Sequence, residues 1–242
     1  MDTSTGKESI MHQFELPEDL VARVSERAGA AHPFSALVPE KTALVVIDMQ
    51  NYFLQEGFMG EVPMAREIVP GVNRLAGAVR EAGGHVVWIM NSTNDTRQSW
   101  SVFHEHLLAP DKQKQRYETL SEAHSGHELW PDLDVKGEDQ KIIKKRFSAF
   151  IQGSSRLEEH LRSGGYDTVL IAGTATNVCC ESSARDAMML NFRTVMVSDA
   201  LATYTDAEHA ASLMAFYSIF GDVLTIAETI AALNKGVQQQ AA

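Results

Sequence analysis

The chain has 242 residues, 44% hydrophobic and 22% charged, which suits a globular fold and is long enough for one large α/β domain with a buried core. A net charge of −11 with no compensating basic stripe argues against a nucleic-acid surface. No apolar run approaches the roughly 18–20 residues needed to span a bilayer. The stretch Met1 to Lys7 is polar and has no signal-peptide apolar region. Two adjacent cysteines, Cys179 and Cys180, cannot build a disulfide framework, so a reducing, cytoplasmic setting is expected.

In chain order, residues 1–40 read as an N-terminal extension with a helix. Pro17 to Arg27 places Leu20, Val21 and Val24 at helical spacing behind a proline suited to a first helical position. The pattern breaks at His32-Pro33. A docked helix and an oligomer arm are both open readings. Residues 41–242 read as a single domain in which short apolar runs alternate with amphipathic helices. The strands are expected at Ala43 to Ile47, His85 to Met90, Gln140 to Ile143, Thr168 to Ala172, Thr194 to Val197 and Asp222 to Leu224. Helices are expected at Val62 to Ala82, Ser155 to Arg162, Cys179 to Leu190, Asp206 to Phe216 with Asp206 as N-cap, and Ile226 to Leu233. Such alternation implies a parallel sheet covered by helices on both faces. Asn91 to Gly137 departs from this rhythm. It is polar, carries Trp100, Trp130 and four histidines, and is long for a loop, as functional lids often are.

Polar groups come directly after three of the strands. The first runs into Asp48, the third into Lys144-Lys145-Arg146, and the fourth into the turn Gly173-Thr174-Ala175-Thr176-Asn177-Val178-Cys179. Each alone has a bland explanation, the point where a strand reaches solvent. Together a carboxylate, an ammonium and a thiol form a coherent set: a base, a cation that stabilises thiolate, and a nucleophile. A thiol where a strand turns into a helix also feels the positive end of the helix dipole, which favours thiolate. The alternative for Cys179 is an inert buried thiol. His104-Glu105-His106 would chelate only if extended, with both rings on one face. No third ligand lies at a recognisable spacing, so no metal and no other cofactor is expected. His209 reads as structural. Tyr52, Phe53, Trp88 and Trp100 can line a pocket or pack in the core, and Asn91 is placed to hold a substrate amide.

The segments Asp48-Met49-Gln50-Asn51, Lys144-x-Arg146-Phe147-Ser148-Ala149-Phe150 and Gly173-x-Ala175-Thr176-Asn177-Val178-Cys179, in this order, resemble the isochorismatase-like cysteine hydrolases from about Thr42 to Leu233. The resemblance implies a Rossmann-like six-stranded parallel sheet. It implies a triad with Asp48 as general base, Lys144 as cation and Cys179 as nucleophile. It implies a non-proline cis peptide at Thr174-Ala175, aiming the Ala175 and Cys179 N–H groups at an oxyanion. True isochorismatases lack the cysteine, which disfavours vinyl-ether hydrolysis. Nicotinamidases carry histidines after the second strand, where Asn91 to Thr96 has none. The Thr-Asn-Val-Cys turn looks most like the ureidoacrylate amidohydrolase branch. The expected activity is therefore hydrolysis of a small amide or ureide through a thioester. The expected substrate contacts are Phe53, Asn91, Trp100 and Asn177. A thiol-dependent esterase and a non-catalytic binding member of the fold are the alternatives. Cys180 reads as packing. A homodimer or homotetramer is expected, with no nucleic-acid or membrane partner.

Overall fold

A computed structural model describes residues 12–240. The apolar runs form β1 (Thr42–Ile47), β2 (His85–Asn91), β3 (Gln140–Lys144), β4 (Thr168–Thr174), β5 (Arg193–Ala202) and β6 (Asp222–Leu224). They pair in parallel throughout as one sheet in the order β3-β2-β1-β4-β5-β6. Strand order reverses between β1 and β4. In a doubly wound sheet, ligands bind at that reversal, beyond the carboxyl ends of the strands.

The helices are α1 (Glu18–Ala28), α2 (Asn51–Leu54), α3 (Met64–Glu67), α4 (Val69–Glu81), α5 (Thr96–Ser99), α6 (Pro110–Thr119), α7 (Leu157–Ser163), α8 (Glu181–Met189), α9 (Asp206–Ile219) and α10 (Ile226–Gln240). Side chains alternate across a strand, so β1 feeds two cores. Leu44 and Val46 pack with Val72, Leu75 and Val79 of α4 and Leu233 of α10. Ala43, Val45 and Ile47 pack with Leu161 of α7, Ala184 of α8 and Phe216 of α9. Each such aliphatic side chain, fully buried, contributes about 1.5–3 kcal/mol. No helix among the described residues is long and apolar enough to cross a membrane.

Several boundaries differ from those read in the sequence. The expected helix from Val62 to Ala82 is two helices, α3 and α4, because Pro70 has no N–H to continue a helical ladder and takes the first turn of a new one. β5 runs on to Ala202 through the polar pair Ser198-Asp199, past a register irregularity opposite Ile171 and Gly173. Thr205, not Asp206, caps α9: its hydroxyl accepts from the Glu208 N–H at 3.2 Å. The long segment after β2 carries α5, a wide helical turn at Val102–His106, α6 and a tight turn at Ser125–His127.

The extension before β1 is docked. Leu20 and Val24 of α1 are buried in the second core. Asp222, wholly buried at the start of β6, accepts from the His32 ring at 2.9 Å and from the Phe34 N–H at 3.1 Å. Tyr217 of α9 donates to Ala31 O at 2.6 Å.

Candidate active site

The strand ends at the reversal bring three chemical groups together. Asp48 comes directly after β1, Lys144 ends β3, and Cys179 lies in a wide helical turn, Thr176–Cys180, between β4 and α8. The Lys144 Nζ is 2.8 Å from Asp48 Oδ2 and 3.5 Å from Cys179 Sγ, and it donates to Arg146 O at 3.0 Å. Asp48 and Lys144 are fully buried and Cys179 is 4% exposed. Neither Asp48 oxygen accepts a well-aligned hydrogen bond, so the carboxylate is held by charge rather than by directed donors. Lys145, the next residue, points away and forms an exposed pair with Asp95 at 3.2 Å.

The backbone at this junction uses unusual conformations. Asp48 has φ +56°, a left-handed value that aspartate tolerates better than most residues. Its N–H is anchored on Ile89 O at 3.0 Å. Gly173 has φ +111°, and a Cβ there would lie 2.1 Å from Ile47 O. Only glycine lets β4 come this close to the end of β1. The Thr174–Ala175 peptide is cis. Side chains then pin the turn: Thr174 donates to Ala202 O at 3.1 Å, Thr176 pairs with His209 at 3.0 Å, and Ser183 bridges Cys179 O and the Ala149 N–H.

Charge in this buried cluster is set by desolvation and neighbours. Burial would lower the Lys144 pKa, but the Asp48 carboxylate and Cys179 more than offset it, and the net shift is upward. Burial, reinforced by the Asp48 carboxylate, pushes the Cys179 thiol up to about 12, with Lys144 and Arg116 opposing only in part. The helix N-terminus, which favours thiolate, opposes this shift. A half-unit dipole charge loses to the loss of water and a full negative charge alongside. Cys180 is also fully buried and its thiol shifted well upward by burial, but it belongs to the core.

Cys179 opens into a cavity of about 430 Å³. Tyr52 and Phe53 of α2, Asn91, Phe103, Phe147 and Ala175 contribute to its wall. Asn91 is 1% exposed and its side-chain Nδ2 has no acceptor. A larger groove beside β3, of about 530 Å³, contains none of Asp48, Lys144 and Cys179.

Two expected contacts fall elsewhere. Trp100 packs behind the wall, 4.6 Å from the Phe103 ring and 4.7 Å from that of Phe147, with the Arg146 guanidinium 5.4 Å from its centre. It lines a separate groove with Arg146, Ser148 and Met189. The Asn177 side chain is occupied as acceptor for Thr203 at 2.6 Å. Trp88 is core, its indole N–H donating to Asp139 at 2.8 Å. His104 and His106 lie on the wide helical turn, not on a strand. Two residues apart on a helix diverge by about 200°, so His104 is buried and His106 exposed. Among the described residues no cluster of three or more His, Cys, Asp or Glu could hold a metal.

Sequence reasoning missed two residues. Gln50 is fully buried and its amide donates to Asn91 O at 3.0 Å and His127 O at 2.7 Å while accepting from the Asn91 N–H at 2.7 Å. It fixes Asn91 against β1. Arg116 of α6 is 6% exposed and lines the cavity. The uniformly polar sequence of α6 marks neither face as buried, so nothing in it distinguished Arg116.

Residues 42–228 match the isochorismatase domain profile. The chain is 33% identical to a probable inactive nicotinamidase of Arabidopsis thaliana, over 72% of this chain and 86% of that one. It is 30% identical to the ureidoacrylate amidohydrolase of Acinetobacter baylyi, over 84% of this chain and 90% of that one. A cysteine hydrolase from Pseudomonas syringae pv. phaseolicola superposes with a TM-score of 0.73 at 25% identity, over 83% of this chain and 95% of that one. The strand order, the groups at the strand ends and the extent of these matches place the chain in the isochorismatase family.

Proposed function

We propose that the protein is a cysteine-dependent amidohydrolase acting on a small amide or ureide. The observation that carries this reading is the buried Lys144 ammonium, 2.8 Å from Asp48 and 3.5 Å from Cys179 Sγ, with the sulfur on a cavity wall. In the resting state the thiol keeps its proton. Attack therefore begins with proton transfer from Sγ to the Asp48 carboxylate, while Lys144 stabilises the thiolate that forms. The thiolate adds to the substrate carbonyl, and the Ala175 and Cys179 N–H groups receive the oxyanion. Loss of one such donor typically costs about 10²–10³ in rate. The C–N bond breaks, and Asp48 returns its proton to the departing nitrogen. Water then attacks the thioester, giving one proton to Asp48 and on to the sulfur. Asn91, with a buried amide nitrogen that has no acceptor, is suited to a substrate oxygen. The likeness to a ureidoacrylate amidohydrolase supports the ureide class.

The test is ammonia release from a panel of small amides and ureas, with mass spectrometry of the quenched enzyme. An acyl adduct on Cys179 that forms and clears during turnover is the expected result. Turnover with no adduct, or turnover that survives Cys179→Ala, would overturn the reading. Hydrolysis of esters but of no amide or urea would favour a thiol esterase.

A further inference from the structure

We propose that Arg116 is a carboxylate-recognition residue, so that the cavity selects amides or ureides whose far end carries a carboxylate. The proposal rests on the reading of Cys179 as nucleophile and adds to it the chemical class of the substrate.

Four charged side chains other than histidine are buried among the described residues: Asp48, Arg116, Lys144 and Asp222. Three are accounted for. Asp48 and Lys144 pair with each other, and Asp222 is held by His32 and two backbone N–H groups. Arg116 is the exception. No carboxylate among the described residues lies within ion-pair distance of it, and its Nε has no acceptor. Its one hydrogen bond, from Nη1 to the Tyr52 hydroxyl, is long at 3.4 Å. The rings of Tyr52 and Phe103 lie 5.6 and 5.3 Å from the guanidinium carbon. They orient the group but do not neutralise it. Buried charges are paired in folded proteins because desolvating a lone ion is costly. An unpaired guanidinium on a cavity wall therefore points to an anion supplied by the ligand.

The placement fits. Arg116 and Cys179 line the same cavity, and the positive charge of Arg116 is felt at the Cys179 thiol and at the Tyr52 and Tyr204 hydroxyls. Lys112 is one helical turn earlier and also lines the cavity, exposed and only 3.8 Å from Asp111. Two cations on one face of α6 thus attract an anion to a cavity whose wall also includes Phe53, Phe103 and Phe147. Guanidinium geometry suits a carboxylate held by two parallel hydrogen bonds. A substrate with a reactive carbamoyl or amide at one end, a short spacer and a carboxylate at the other satisfies both ends of the site.

The test compares pairs in which the far carboxylate is replaced by a neutral group that releases no ammonia: N-carbamoyl-β-alanine with its N,N-dimethylamide, and succinamate with N,N-dimethylsuccinamide. The wild-type enzyme is expected to favour the anionic member of a pair by about 10² in kcat/KM. Arg116→Gln should raise KM for the anion by about 10²-fold and abolish the anionic-over-neutral ratio of kcat/KM, as for loss of one partner of a desolvated ion pair. Arg116→Lys should recover part of the preference. Circular dichroism checks that each variant is folded. A second readout needs no turnover: alkylation of Cys179 by iodoacetate and by iodoacetamide, each normalised to its rate with glutathione. The wild type should favour iodoacetate, and Arg116→Gln should lose that preference. Equal normalised rates in the wild type, or a preference that Arg116→Gln leaves unchanged, overturn the assignment. If no pair releases ammonia, the proposed hydrolysis fails, and the alkylation ratio still decides whether Arg116 receives an anion.

Discussion

Cys179 and Cys180 are consecutive and both buried, yet only the first reaches the cavity. Residues one apart at a helical turn point about 100° from each other. Cys179→Ala should abolish turnover and Cys180→Ala should retain most of it. Steady-state rates of the two variants check this, and the reverse pattern would exchange their roles. The lysines divide in the same way. Lys144→Ala leaves the Asp48 carboxylate buried with no cation, a change that typically costs about 3–5 kcal/mol. It also removes a charge that holds the Cys179 pKa down. Denaturant unfolding should therefore show a large loss of stability, and activity should vanish even under conditions where the variant stays folded. Lys145→Ala breaks an exposed pair worth at most about 1 kcal/mol and should be nearly silent in both measurements. Equal effects of the two substitutions would contradict the geometry.

At the scale of elements, the close pairing of β4 with the end of β1, Gly173 opposite Ile47, decides whether the site forms. Gly173→Ala would require a β-carbon 2.1 Å from Ile47 O on a residue with φ +111°. The loss should be about 3 kcal/mol or more, since strain and collision both contribute. A melting temperature within a degree or two of wild type would show that the strands separate at little cost. The strands themselves were legible because full burial writes them as unbroken apolar runs; β1 to β4 match the sequence reading to within two residues at each end. The polar residues beyond β1, β3 and β4 were legible too, because strand ends in a parallel sheet converge. The long segment between β2 and β3 was not. α6 has no apolar face, so neither its helicity nor the burial of Arg116 leaves a periodic trace. β5 was cut short in the sequence because Ser198 and Asp199 resemble a strand end, whereas Asp199 accepts from the Ile226 N–H at 2.6 Å and stays within the strand. The extent to which burial raises the Cys179 pKa was not legible for a related reason. Sequence shows which groups are near, but the degree of burial decides their ionisation.

Over the whole molecule, two buried histidines govern the response to acid. His209 is held down to about 3, by burial first and then by His12, with Asp206 opposing. His104 is held down to about 4 by burial and by Arg116, Arg146 and Arg97. Both titrate near 6.5 when freed from the fold. Below that value the unfolded chain binds protons that the folded chain refuses, so stability falls as pH falls. The slope is about 1.4 kcal/mol per pH unit for each histidine until its folded pKa is reached. Urea unfolding should show a plateau above 6.5 and a steady decline beneath it. His209→Gln, which keeps a partner for Thr176, should reduce the slope. An unchanged slope would assign the acid response to other groups.

The docked extension has a consequence for the order in which the chain folds. Its anchors join residues far apart: His12 to Asp206 across 194 positions, His32 to Asp222 across 190, and Ala31 to Tyr217 across 186. During synthesis the extension leaves the ribosome long before its binding surface on α9 and β6. Until then Leu20 and Val24 have no core to enter. Contacts at such separation pay their loop-closure entropy before they return any stability. The extension is thus a late-closing clasp. Its far end adjoins the nucleophile turn, because His12 stacks on His209 at 4.4 Å and His209 in turn pairs with Thr176.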